Sequence, residues 1–193
     1  MALFRALGDF VAVHIEPERR HGAGAAIQIR PEPRIAVPHT RNQFGIDADV
    51  TSDCAPLWGT VEAMLDTTKD IHVIRDATRG GVGTVLYEIA GQSHVGIHLD
   101  SQAIPVDPAV RGVCGMLGLE PLYLACEGRL VIFAPKAVAG DIVATLRQGK
   151  YSKDAAIIGE VTADQPGRVI MRTEIGAETL LPPPGGELLP RIC

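Results

Sequence analysis

The stretch "IHVIRDATRGGVGTVLYEIA", residues 71–90, restricts the fold more than any other part of the chain. It opens as a β-branched apolar run, breaks at Arg75 and Asp76, turns through Thr78 and Arg79, and meets two adjacent glycines. Val82, Val85, Leu86 and Ile89 then recur at helical spacing. A period that changes from two to 3.6 across a glycine turn predicts a strand leading directly into an amphipathic helix.

Similar signals recur on either side. Leu57, Val61, Met64 and Leu65 share one helical face, with Ser52 and Asp53 as candidate caps. "VGIHL" alternates as a half-buried strand does. Asp107-Pro108 reads as a cap followed by proline in the first helical turn. Val110, Val113, Cys114 and Leu117 form that helix's stripe, and Gly118 ends it. "RLVIFA", "AAIIGEV" and "RVIMRT" are strands, and a helix opening at Pro135 points Val138, Ile142 and Leu146 inward. In residues 1–44 neither period holds for long, although "FVAVHI" and "AAIQI" have strand composition. Strands and helices alternate without the regular spacing of a doubly wound fold. The expectation is α/β in the α+β sense: two layers, a mixed sheet with helices on one face. Residues 1–44 form an atypical leader, 45–180 the domain and 181–193 a flexible tail.

Composition excludes several function classes. A formal charge of −5 argues against an electrostatic grip on nucleic acid or anionic membrane. No apolar run approaches the roughly 20 residues that cross a bilayer, and a signal-peptide layout is missing, so a cytoplasmic location is expected. With aromatics at 4%, aliphatic side chains and alanine must fill the core.

Two segments carry candidate chemistry. In "RDATRGG" the free N–H groups of a helix start, bared by Gly80 and Gly81, suit an anion. Arg79 adds a charge matched to phosphate oxygens, Thr78 lies in the same turn, and Asp76 is placed to orient Arg79 or hold a metal. The alternative is a tight turn that needs glycine only for its backbone angles. In "LACEGRLVIF", Glu127-Gly128 is expected in a turn at the rim of the sheet, either as a functional carboxylate or as a solvated surface residue. His14, His21, His39, His72, His94 and His98 show no metal-ligand spacing, so no metal site is expected. Cys54, Cys114 and Cys126 fit no CxxC pattern and read as small buried apolar side chains. Cys193 is the last residue, behind Pro182, Pro183, Pro184, Gly185 and Gly186. About twelve extended residues at ~3.3 Å each give it a reach of roughly 40 Å.

The pieces "SDCAPL", "RDATRGG", "IPV", "LGLEPLYLACEG", "AAIIGEV" and the terminal "LPRIC", in this order, resemble the HypE family of hydrogenase maturation proteins, the carbamoyl dehydratases. The resemblance runs from about residue 45 to Cys193, and "RDATRGG" with a terminal "PRIC" is its most specific part. It implies the C-terminal α/β domain of proteins related to aminoimidazole ribotide synthetase and selenophosphate synthetase. It also implies a reaction. The carbamoyltransferase HypF loads a carbamoyl group onto the Cys193 thiol, and ATP with Mg activates the carboxamide oxygen. Loss of phosphate leaves a thiocyanate, whose cyanide passes to iron on the HypC–HypD scaffold of [NiFe] hydrogenase assembly.

On this resemblance Cys193 and Glu127 are catalytic, and Asp76, Thr78, Arg79, Gly80 and Gly81 take the nucleotide phosphates. Pro190 and Arg191 position the tail. The terminal carboxylate raises the Cys193 thiol pKa, and Arg191 partly offsets that. The family's acidic Mg·ATP motif and phosphate-reaching lysine do not occur in residues 1–44, which read as a remnant of the ATP-binding domain. The chain by itself is therefore expected to bind Mg·ATP weakly or not at all. Cys126 also departs from the family, which usually has asparagine before Glu-Gly. Two other functions share much of the pattern. One is a domain that docks on maturation partners without catalysis, and the other is an ATP-dependent synthetase of the purine or selenophosphate type. A homodimer is one candidate assembly.

Overall fold

The computed structural model describes residues 10–15 and 55–185, with the backbone alone for residues 10–15 and Glu127. The strand expected at "AAIQI", the caps at Ser52 and Asp53, Cys54, and residues 186–193 lie outside the described residues. The described strands are β1 (Phe10–Ile15), β2 (Val73–Ala77), β3 (Gly96–Asp100), β4 (Cys126–Pro135), β5 (Ala156–Thr162), β6 (Val169–Arg172) and β7 (Glu178–Leu180). The helices are α1 (Trp58–Thr67), α2 (Gly81–Ser93), α3 (Pro108–Leu117) and α4 (Lys136–Leu146), with a 3-10 turn at Pro121–Tyr123.

The strands form one sheet in the order β2-β4-β1-β5-β3-β6-β7. All neighbours are antiparallel except β3 and β6, so the sheet is mixed, as expected. β1 lies between β4 and β5, with Val13 opposite Ile132 on one side and Ile157 on the other. The first described strand is thus central in the sheet, and its pairings are long-range.

The layering differs from the expected two layers. Val131 and Phe133 belong to the core built with Val82, Val85, Leu86 and Ile89 of α2. Ile132 and Ala134 belong to a second core with Met64 of α1 and Ile142 and Leu146 of α4. Alternate residues of a strand face opposite sides. Helices therefore cover both faces of β4, not one, and all four residues are inaccessible to solvent. A strand covered on both faces reads as a continuous apolar run, which is what "LVIF" is. A small third cluster joins Val113 and Cys114 of α3 to Leu124. Burial pushes the Cys114 thiol up, and Glu120 adds to the rise. Cys114 and Cys126 are buried, matching the apolar reading, and the Cys126 thiol donates to the Leu124 carbonyl at 3.2 Å. No helix among the described residues is long and apolar enough to cross a membrane.

Candidate functional site

The site grows from the edge of the sheet. β2 is an edge strand, and its last residue, Ala77, is fully buried. The chain turns through Thr78, Arg79 and Gly80 and enters α2 at Gly81. Gly80 caps the helix with φ 67°, and Gly81 has φ 67° as well. A Cβ on Gly81 would lie 2.3 Å from the Leu122 carbonyl oxygen and 2.5 Å from that of Leu124. Both the backbone angle and the close approach of the 3-10 turn therefore require glycine here.

No side chain caps α2 and no acidic residue lies in its first turn, so the positive end of the helix dipole is not neutralised from within the helix. Thr84 Oγ1 donates instead to the Gly80 carbonyl at 2.8 Å, tying the first turn to the cap. Arg75 binds Glu88 at 2.7 Å, linking the end of β2 to the middle of α2.

The predicted residues separate into three groups. Asp76 is exposed and accepts a hydrogen bond from the Thr78 hydroxyl. The expected orientation of Arg79 by Asp76 is not what the structure has. Arg79 is exposed and makes no ion pair among the described residues. Neither do the described residues contain a group of three or more His, Cys, Asp or Glu that could hold a metal ion.

Glu127 is not in a turn. It is the second residue of β4, at a shift in register: Asp76 pairs with Leu130, but Ala77 pairs with Cys126. The backbone of residues 127–129 therefore bulges opposite the end of β2, beside the turn that carries Thr78 and Arg79. Two motifs about fifty residues apart in the chain meet at one sheet edge. Cys193, Pro190 and Arg191 lie outside the described residues.

Three further residues were not singled out from sequence. Arg129 is only 8% exposed within the bulge, and its one sequence signal is a charge entering an apolar run. Tyr87 donates its hydroxyl to the Leu181 carbonyl and Tyr123 to that of Pro182. Leu181 itself is buried, and its N–H donates to the Val169 carbonyl at 2.9 Å. The base of the expected tail is thus fixed to the domain through residue 182. The two tyrosines carry no local hint of this role, because their partners lie 94 and 59 residues away.

Comparison with known proteins adds the family. The chain is 42% identical over 159 residues to carbamoyl dehydratase HypE of Azotobacter vinelandii, a match covering 82% of this chain and 47% of the relative. It is similar to a crystal structure of hydrogenase maturation protein HypE in complex with ATP, with 39% identity and a TM-score of 0.75. That match covers 97% of this chain and 53% of the other. A crystal structure of a HypE–HypF complex matches at 32% identity and a TM-score of 0.75, covering 92% of this chain and 53% of the other. The chain spans about half the length of the relatives it matches. The profile of the family described as "AIR synthase related protein, C-terminal domain" matches residues 12–172, and the chain belongs to that family.

Proposed function

We propose that this chain is the cysteine-bearing half of a carbamoyl dehydratase that serves [NiFe] hydrogenase maturation in the cytoplasm. Cys193 receives a carbamoyl group from a HypF-type transferase: its sulfur forms the bond to the carbamoyl carbon, the thiol proton is released, and the bond from that carbon to the activating group on the transferase breaks. The carboxamide oxygen then takes the terminal phosphoryl group of Mg·ATP. The nitrogen gives up its remaining protons, and phosphate departs with the oxygen. The product is R–S–C≡N, whose cyano group goes to iron held by HypC and HypD, with that iron scaffold supplying the two electrons that release the thiolate and make the group a cyanide ligand. A thiolate suits both ends of this sequence, as nucleophile first and as leaving group last.

Each predicted residue has a role in this reading. Glu127 accepts the amide proton. Arg79, Thr78 and the uncapped start of α2 at Gly80 and Gly81 meet phosphate oxygens, with Asp76 holding the Thr78 hydroxyl in place. Mg enters with the nucleotide. Pro190 and Arg191 orient the thiol. The observation that carries the reading is the register shift in β4. It sets the backbone of Glu127 beside the glycine turn, in a chain that carries Cys193.

Intact-mass analysis tests it. The chain is incubated with HypF, carbamoyl phosphate and ATP, with and without the ATP-binding half of a HypE relative. The expected result is a carbamoyl adduct on Cys193 that loses one water when that half is present. The Cys193→Ala variant is expected to gain no adduct. Loading that never proceeds to dehydration supports the second reading, a docking domain without catalysis. An unmodified Cys193 overturns both.

A further inference from the structure

α1 and α4 share the core on the side of the sheet away from α2. Between the start of α1 and the segment that leads from α4 to β5 lies a cavity of about 360 Å³. Its volume falls within the roughly 300–1,000 Å³ range of small-molecule sites. Pro56, Gly59, Thr60 and Ala63 line one side, and the end of α4 with residues 148–152 lines the other. Gly59 leaves room on the α1 side, where an added Cβ would meet nothing within 4 Å. Thr60 is only 8% exposed, yet its hydroxyl has no hydrogen-bond partner among the described residues. That hydroxyl faces the opposite wall, because a Cβ on Gly149 would lie 3.8 Å from Thr60 Oγ1. A buried hydroxyl without a protein partner has to find one in whatever enters the cavity. The hydroxyls of Thr145 and Ser152 are already engaged, the first with Thr67 at 3.0 Å and the second as donor to the Leu146 carbonyl.

Lys150 is the one charged residue in the lining, so the wall carries a positive charge and no negative one. It makes no ion pair among the described residues, and its Nζ stands 5.1 Å from the centre of the Tyr151 ring. The ring attracts the ammonium and restricts its position without neutralising it. The first turn of α1 adds to the same sign. No side chain caps it, no acidic residue lies in it, and Gly59 leaves its backbone unshielded. A cation would be repelled by both features, and a purely apolar molecule would leave the Thr60 hydroxyl unpaired. Pro56, Ala63 and the Tyr151 ring supply apolar surface for the rest of a ligand.

We propose that the cavity between α1 and the α4–β5 segment is a binding site for a small organic anion, a carboxylate or a phosphate monoester with a compact apolar body. The anionic group accepts from the Thr60 hydroxyl and pairs with Lys150. The body lies over Gly59 and Ala63, against Pro56 and the Tyr151 ring.

Trp58 is the only tryptophan in the chain and immediately precedes Gly59, so its fluorescence reports on this end of α1. The full chain is titrated at low salt with phenyl phosphate and with benzoate, and with benzyl alcohol and benzylamine as the neutral and cationic counterparts. Amide 15N shifts locate the binding. The expected result is a saturable change with at least one of the two anions, the better of them identifying the headgroup, with shifts centred on Gly59, Thr60 and Gly149. Benzyl alcohol is expected to bind about tenfold more weakly or worse. Thr60→Val keeps the shape and removes the hydroxyl, and Lys150→Gln removes the charge. Each is expected to weaken the anion about tenfold. Gly59→Leu fills the cavity and is expected to abolish binding, while Lys69→Gln, beyond the other end of α1, leaves it unchanged. Thermal unfolding checks that the variants fold. Lys150 and Gly59 are exposed, so their variants carry the test independently of Thr60→Val. Lack of saturation with both anions overturns the proposal, as does binding that survives Gly59→Leu or shifts centred elsewhere. Benzyl alcohol or benzylamine binding as tightly as the anions overturns the charge preference, and inorganic phosphate binding as tightly as phenyl phosphate overturns the apolar half of the site.

Discussion

Helices α2 and α3 begin in opposite ways. α3 has a self-contained start: Asp107 accepts from the Ala109 N–H at 2.7 Å, Pro108 fills the first turn and Gly118 closes the far end with φ 67°. α2 begins on two glycines in the left-handed region with no side-chain cap. Its start is held from outside, by the backbone of the 3-10 turn, the Tyr123 ring and the Arg75–Glu88 pair. A start like that of α3 stabilises a helix wherever the helix lies. A start like that of α2 leaves the N–H groups uncapped and depends on the rest of the fold to keep its shape. Such an arrangement is expected where a helix end has to meet something other than its own chain.

The comparison breaks most sharply at Gly81. Gly81→Ala adds a Cβ where φ is 67° and two carbonyl oxygens lie within 2.5 Å. Left-handed backbone and overpacking together cost roughly 3 kcal/mol or more. The expected outcome is a large fall in the denaturation midpoint or loss of folded protein on expression. Gly83→Ala is milder, because its obstacle is a side chain that can shift. A cost of about 1–3 kcal/mol is expected, together with a displaced Tyr123 and weakened protection of the Leu181 amide in hydrogen exchange. If either alanine is neutral, α2 does not depend on the 3-10 turn and the contrast with α3 fails.

At α3 the same kinds of change have other signs. Asp107→Ala removes a cap worth about 1 kcal/mol. Gly112 and Gly115 are exposed, and a Cβ added at either would meet nothing within 4 Å. Alanine at either is expected to stabilise by about 0.5–1 kcal/mol, as in an ordinary helix interior. Chemical denaturation of the two series would therefore place glycine substitutions in α2 and in α3 on opposite sides of the parent.

The same contrast explains what can be read from the sequence. The start and stop of α3 are legible because each signal acts within three or four residues: Asp107, Pro108 and Gly118. The stripe of α2 is legible for the same reason. "FVAVHI" can be read as a strand, but not as the strand between β4 and β5, since nothing local encodes partners more than a hundred residues away. "LVIF" reads as a strand, yet only the structure shows that its unbroken apolar run has both faces covered. Glu127-Gly128 has turn composition, and the structure uses that latitude for a register shift inside β4. β7 is three residues long with every residue exposed, too short and too polar for a periodicity to register. The tyrosine grip on Leu181 and Pro182 has no sequence signature at all. A hydroxyl donating to a backbone carbonyl places no constraint on which side chain the partner carries.

The smallest expected effect concerns the Arg75–Glu88 pair, and it tests whether α2 is braced from outside or merely decorated. The two side chains are 38% and 43% exposed, so solvent and salt screen the attraction. An ion pair of that kind contributes about 0.2–1 kcal/mol. Its place matters more than its size, because Arg75 immediately precedes Asp76 and Glu88 lies two turns into the helix. Arg75→Met and Glu88→Gln should each destabilise slightly, and a double-mutant cycle should give a coupling in that range that shrinks as salt is raised from low to high. If the pair also steadies the turn, amide exchange at Thr78 and Arg79 should rise in both single variants and rise no further in the double. A coupling of zero, or exchange changes confined to Glu88, would leave the 3-10 turn and the Tyr123 ring as the whole of the external support for α2.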